Sequence, residues 1–170
     1  MGEHEGLAVT CISARATLHL KSWVLARSAP ITLPPSVTQH CRLITVAPGE
    51  WLLISDAVDE QTLHEVARDF HNQGVAAVSV AQGLAAIEIK GRAAHDVLAK
   101  SCGLDLHPVR FPVGSCTRTR LAKLPVIVDY VDGKPIFDLY VARSYLPYLF
   151  SWLNDAAVEF MVPAQTARHT

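Results

Sequence analysis

Arg42-Leu-Ile-Thr-Val-Ala47, Pro48-Gly49 and Glu50-Trp-Leu-Leu-Ile-Ser55 are two apolar runs joined by a dipeptide that reverses the chain. Proline presets φ for the first turn position and glycine tolerates positive φ at the next, so the stretch predicts two strands and a tight turn. A helix follows. Leu63, Val66, Ala67 and Phe70 recur at i, i+3, i+4 and i+7, Asp56 or Asp59 can cap the start, and Gly74 can end the helix in the left-handed conformation.

The order strand, strand, helix then recurs. Val75 to Val80, a turn at Gln82-Gly83 and Leu84 to Ile89 precede a helix that carries Ala94, Val97 and Leu98 and stops near Gly103. A third round comprises Leu124 to Tyr130, the Asp132-Gly133 turn, Pro135 to Val141, and a helix lined by Leu146, Leu149, Phe150, Leu153 and Ala157. Ser144 is expected to cap this helix, with Pro147 in its first turn, where no intrahelical donor is lost. Upstream, Arg15 to Lys21 alternates like a half-buried strand, and Ala29-Pro-Ile-Thr-Leu-Pro-Pro35 interrupts regular structure. The units share order but no sequence identity, which argues against a solenoid. The expected class is α+β: mainly antiparallel sheets with helices packed on one face, in two small lobes spanning 1–78 and 79–160. Residues 161–170 lack apolar periodicity and are expected to be a disordered tail.

The chain has 170 residues, half of them hydrophobic and 18% charged. A chain of this size buries roughly 68–70% of its unfolded surface, so it needs no disulfide or metal staple. Fifteen Lys and Arg against 16 Asp and Glu give a net charge of -1 at pH 7, no surplus to drive polyanion binding, and nucleic acid is not expected as a partner. Cys11, Cys41, Cys102 and Cys116 form no C-x-x-C pair, which suits a reducing compartment. The acidic Met1 to Gly6 resembles neither a secretory leader nor a myristoylation signal, and no apolar run approaches the roughly 18–20 residues of a membrane span. A cytoplasmic protein is expected, with part of its apolar surface covered by a partner.

Signatures of common active sites are missing. His64-Glu65 lacks the second histidine at i+4 that would put two imidazoles on one zinc, because Arg68 stands there, and no dinucleotide, P-loop or G-x-S-x-G motif occurs. Cys116 could act as a nucleophile only with a lowered thiol pKa; a structural role is the alternative. Leu104 to Leu121 reads as a long connection with two prolines and three arginines. Arg118 and Arg120 would share one face of an extended segment, and Arg110 could join them to grip a carboxylate or phosphate; salt bridges at a domain or subunit boundary are the alternative. Trp23, Trp51 and Trp152 fit core or interface anchors. Asp129, Asp132 and Asp138 surround the last hairpin, and turn chemistry accounts for Asp132.

Gly91-Arg-Ala-Ala-His-Asp-Val-Leu-Ala-Lys-Ser-Cys-Gly-Leu-Asp-Leu-His-Pro108, running into Phe111-Pro-Val-Gly-Ser-Cys-Thr-Arg-Thr-Arg-Leu-Ala122, resembles the signature of the gamma subunit of heterotetrameric sarcosine oxidase. Phe137-Asp-Leu-Tyr-Val-Ala-Arg-Ser-Tyr145 and Trp152-Leu-Asn-Asp-Ala-Ala157 are similar to that family's closing strand and helix. Ala81-Gln-Gly-Leu84 departs from the more polar turn of relatives. The resemblance implies a fold related to the folate-binding aminomethyltransferase of glycine cleavage. It also implies a complex with alpha, beta and delta subunits that demethylates sarcosine to glycine, forms hydrogen peroxide and passes the one-carbon unit to tetrahydrofolate. NAD and folate are then expected in alpha, FAD in beta and FMN between them, with no cofactor and no catalytic residue in this chain. Arg110, Arg118, Arg120, Arg143 and Trp152 are its binding or interface candidates. The competing readings are a stand-alone folate-binding module, a subunit of a related secondary-amine oxidase or dehydrogenase, and an aminomethyltransferase-like enzyme; in isolation, a homodimer is an alternative assembly.

Overall fold

Gly49, at φ 73°, closes the Pro48-Gly49 turn between β3 (Cys41–Ala47) and β4 (Glu50–Ser55) in the computed structural model of the chain, which describes residues 7–12, 16–22, 31, 33 and 41–161. The buried Ser55 hydroxyl accepts from the N–H groups of Ala57 and Val58, both at 3.1 Å, and turns the chain toward α1 (Glu60–Asn72). Asp59 is the cap: its carboxylate accepts from the Thr62 N–H at 2.8 Å. Gly74, at φ 75°, follows the helix in the left-handed region.

The remaining elements are β1 (Ala8–Ile12), β2 (Ala16–Ser22), β5 (Val75–Ser79), β6 (Leu84–Lys90), α2 (Ala94–Ala99), β7 (Cys116–Leu121), β8 (Leu124–Asp132), β9 (Ile136–Ala142) and α3 (Leu146–Met161). They build a five-stranded sheet in the order β1-β6-β9-β8-β7 and a four-stranded sheet in the order β3-β4-β2-β5. Every strand pairing among the described residues is antiparallel. This is the α+β class that the alternating runs predict.

Strand alternation sorts the side chains into three apolar layers. One face of the larger sheet, with Ile87, Val128 and Leu139, packs on Val97 and Leu98 of α2 and Leu149 and Leu153 of α3. One face of the smaller sheet, with Leu18, Leu20 and Leu53, packs on Leu63, Val66 and Phe70 of α1. The two remaining faces meet each other through Ile44, Val46, Leu52, Ile54, Ala86 and Ile127. The layers therefore run helix, sheet, sheet, helix, with a helical cover on only one face of each sheet.

Three local expectations change in three dimensions. The Gln82-Gly83 turn does not join neighbouring strands: β5 pairs with β2, whereas β6 pairs with β1 and β9, so the turn carries the chain from one sheet to the other. A turn dictates chain reversal, not the partner chosen after it. The stretch to Leu121 is not all connection, because Cys116–Leu121 is a strand hydrogen-bonded to β8. Its turn residues, Ala122 and Lys123, sit at φ 51° and 68° without the glycine or asparagine that usually marks such a hairpin, and a Ser101 hydroxyl accepting from the Ala122 N–H at 2.9 Å helps hold them there. Ser144 lies inside a 3-10 turn, Arg143–Tyr145, that leads into α3, rather than at a cap. β1 pairs with β6. Trp23, most of the proline-rich segment and residues 162–170 lie outside the described residues; Ile31 and Leu33 pack on the α1 core.

Candidate functional site between the sheets

Alternation puts Arg42 of β3 on the same inner face as Ile44 and Val46, while Asp129 of β8 and Asp138 of β9 stand opposite each other in register on the facing sheet. Both carboxylates are buried, at 0% and 2% exposure, and burying such groups is costly unless a cation and hydrogen bonds compensate. Arg42 supplies the cation. Its Nη2 donates to Asp129 Oδ2 and, at 3.1 Å, to Asp138 Oδ2; the Tyr140 hydroxyl lies 3.5 Å from the same nitrogen and donates to Asp138 Oδ2 at 3.3 Å. Arg42 is not legible as a partner in the sequence, because nothing near it in the chain carries the complementary charge. Asp132 does what turn chemistry predicts, accepting from the Lys134 N–H at 3.0 Å.

A second node centres on Glu50, beside the β3–β4 turn at the opposite end of the hairpin from Arg42. Lys21 Nζ reaches Oε1 at 2.9 Å, Arg118 Nη1 donates to Oε2 at 2.8 Å, and His19 Nε2 stands 3.7 Å from Oε2. The Lys21 hydrogen bond, helped by Arg118 and opposed by burial, holds the Glu50 carboxyl below its ordinary range. Arg118 thus ties β7 to the smaller sheet. Beside it opens a cavity of about 300 Å³ between the sheets, with His19, Arg118, Thr119 and Tyr140 among its polar lining and Leu52 and Ile127 among its apolar walls.

Cys116 begins β7 directly opposite Asp129. Burial, with the Asp129 charge adding to it and Arg42 and Arg118 opposing, pushes its thiol up to about 12. A thiol in that state is protonated at neutral pH, so the environment here disfavours the nucleophilic role and suits the structural alternative.

The other sequence candidates have separate fates. Arg120 lies two residues beyond Arg118 on β7 and Arg110 lies in the turn whose N–H bonds the His107 carbonyl at 2.8 Å; both are exposed, and neither forms an ion pair among the described residues. Only Arg118 of the three joins a cluster. Arg143 clasps the sheet-crossing turn, its guanidinium donating to the carbonyls of Gln82 at 2.8 Å, Ala81 at 2.9 Å and Leu84 at 3.4 Å. Trp152 is half-buried against the core beneath α3. His64 and His71 are exposed on α1, and no group of three or more metal-ligating side chains occurs among the described residues. Apart from Arg118, the long Gly91–Leu121 motif mainly supplies core: Ala94, Val97, Leu98, Leu106, Phe111 and Leu121 are buried under the larger sheet, and the His95 ring stands edge-on to Phe137 at 4.9 Å.

Two facing antiparallel sheets with outer helices define an aminomethyltransferase-like fold. Aminomethyltransferase T of the glycine cleavage system from Bartonella henselae superposes with a TM-score of 0.60 at 11% identity, over 92% of this chain and half of that one. A chain of the heterotetrameric sarcosine oxidase of Corynebacterium sp. U-96, solved with pyrrole 2-carboxylate, gives 0.79 at 22% identity, over 95% of this chain and 89% of that one. The sarcosine oxidase gamma subunit family model matches residues 12–159, and the chain belongs to that family. Sarcosine oxidase subunit gamma of Corynebacterium sp. strain P-1 is 30% identical over 118 residues, 69% of this chain and 57% of that subunit. The subunit of the same name from an Arthrobacter species is 36% identical over 77 residues, 45% of this chain and 37% of the relative. The chain thus matches little more than half the length of the first relative and less of the second. No helix among the described residues is long and apolar enough to cross a membrane.

Proposed function

We propose that this chain is the non-catalytic gamma subunit of a flavin-dependent heterotetrameric sarcosine oxidase. The complex demethylates sarcosine to glycine with formation of hydrogen peroxide and 5,10-methylenetetrahydrofolate. The observation that carries this reading is the family match over residues 12–159. In this reading FAD, FMN, NAD and tetrahydrofolate are held by the alpha and beta chains, delta completes the assembly, and the complex works in the cytoplasm. The chain contributes surface. Val109 is 79% exposed and Val113 52% exposed in the loop that also presents Arg110, and Tyr145, Tyr148 and Val158 are exposed on or beside α3. Apolar side chains with nearby arginines are the materials of an interface, which typically removes about 800 Å² per partner from water. Arg110, Arg120 and the exposed edge of Trp152 are placed in that interface, and Arg143 acts from behind by holding the turn between the sheets.

The test is to tag the chain in its native host and purify it at low salt. Larger chains co-purifying with visible flavin absorption and sarcosine-dependent oxygen consumption are expected. A colourless chain recovered alone, or as a homodimer, overturns the assignment.

A further inference from the structure

We propose that the cavity between the two sheets binds a small organic monoacid, its carboxylate on Arg118 and its apolar body, one or two rings in size, against Val80, Leu84, Pro125 and Ala142. The volume of about 300 Å³ falls at the lower end of the roughly 300–1,000 Å³ typical of ligand pockets, which limits the body to a small one. The walls select its character. Leu52 and Ile127 are buried at 2% and 9% exposure, and Leu84 and Ala142 extend the apolar lining. Tyr140 also lines the cavity, and its hydroxyl bonds Asp138.

The charge of the ligand follows from the lining and from Glu50. None of the described residues lining the cavity is acidic, and the nearby Glu50 carboxylate is held by Lys21 and Arg118. At Glu50, Arg118 and Lys21 place two cations on one carboxylate, while the two carboxylates on Arg42 lie behind Tyr140, whose hydroxyl bonds Asp138. Arg118 is half-exposed and commits only Nη1 to Glu50, whereas a guanidinium carries five N–H donors in a fork that fits a carboxylate with two parallel hydrogen bonds. His19 Nε2 is buried without a hydrogen-bond partner and faces Glu50, so it stands ready to hold that carboxylate when Arg118 swings toward a ligand. A single arginine, with no lysine or second arginine among the described lining residues, suits a monoacid better than a phosphate or a diacid. The inference concerns this chain's own cavity and does not depend on the subunit assignment.

Titration of the full chain with 2-naphthoate and its neutral isostere 2-naphthamide, followed by calorimetry, tests the proposal. Saturable binding of one naphthoate per chain is expected, with the amide weaker by about tenfold or more, the usual effect of losing a charge-assisted hydrogen bond. Arg118→Gln should weaken naphthoate by a similar factor and leave the amide unchanged, Ala142→Phe should abolish binding of both, and Arg68→Gln on the exposed face of α1 should change neither. Arg118 is exposed, so its variant is expected to retain the wild-type circular dichroism spectrum. Equal affinities for acid and amide, undiminished naphthoate binding by Arg118→Gln, or no binding at millimolar ligand would each overturn the proposal.

Discussion

Arg42 and Asp129, 87 residues apart in the chain, form an ion pair that joins an edge strand of one sheet to an inner strand of the other. Asp138 shares the same guanidinium nitrogen. The pair therefore holds two carboxylates that the ladder places side by side, and it does so in the layer where the sheets meet.

Replacing Arg42 by Met keeps most of the side-chain volume and removes the charge. Asp129 and Asp138 are buried but the guanidinium is 37% exposed, so the expected cost is about 1–3 kcal/mol, below that of a fully buried pair. Arg42→Met is expected to lower the urea midpoint by that equivalent with an unchanged m-value; an unchanged midpoint would show that the inter-sheet pair adds nothing to stability.

Glu50 predicts an acid limb in the stability profile. Its folded-state pKa is depressed below the ordinary 4.5, chiefly by the Lys21 hydrogen bond and then by Arg118, so its contribution is present in full above the unfolded value and is lost as pH falls through the folded one. Glu50→Gln has no carboxylate to titrate. Its unfolding free energy should lie below wild type at neutral pH and converge on it as the pH drops below 4.5. A gap that stays constant with pH would refute the assignment.

The β7–β8 turn holds Lys123 at φ 68°, a region that costs a side-chain-bearing residue about 1–2 kcal/mol and glycine almost nothing. Glycine loses about 0.5–1 kcal/mol of that advantage through its freer unfolded state. Since Lys123 is exposed, Lys123→Gly sacrifices no packing and should raise stability by about 0.5–1 kcal/mol, read as an increased thermal midpoint.

Thiol labelling should separate the cysteines. Cys11 is exposed, Cys41 is pushed up by burial, and Cys116 is pushed to about 12. With iodoacetamide at about pH 8, where the thiolate is the reacting species, peptide mapping should find Cys11 modified first and Cys116 last. Rapid modification of Cys116 in the folded protein would restore it as a candidate nucleophile.

Much of the architecture is local enough to be read from residues. The Pro48-Gly49 turn, the Asp59 cap, the Gly74 stop and the alternating runs of β3, β4, β6, β8 and β9 each act over a few positions, and the residues of the long Gly91–Leu121 motif carry the resemblance to the gamma subunit family by themselves. The hairpin at Ala122-Lys123 is hidden because its residues are poor formers of the conformation they adopt; tertiary contacts, among them the Ser101 hydroxyl, overrule local preference there. The Arg42 node and the Glu50 partners are hidden for another reason. Alternation shows which side chains share a face of one strand, as it does for Arg118 and Arg120, but it cannot say which strand comes to lie opposite.

By itself, the sequence determined the three helices, the order of the strands other than β1 and β7, the α+β class and the family, because periodicity, capping and turn chemistry operate within a few residues. Tertiary structure alone decided that β2 enters between β4 and β5, that β1 joins the sheet of β6, and that Arg42 meets Asp129 while Arg118 meets Glu50. Those pairings span 68 and 87 residues, and burial of the apolar faces of both sheets, rather than any local preference, brings the partners together.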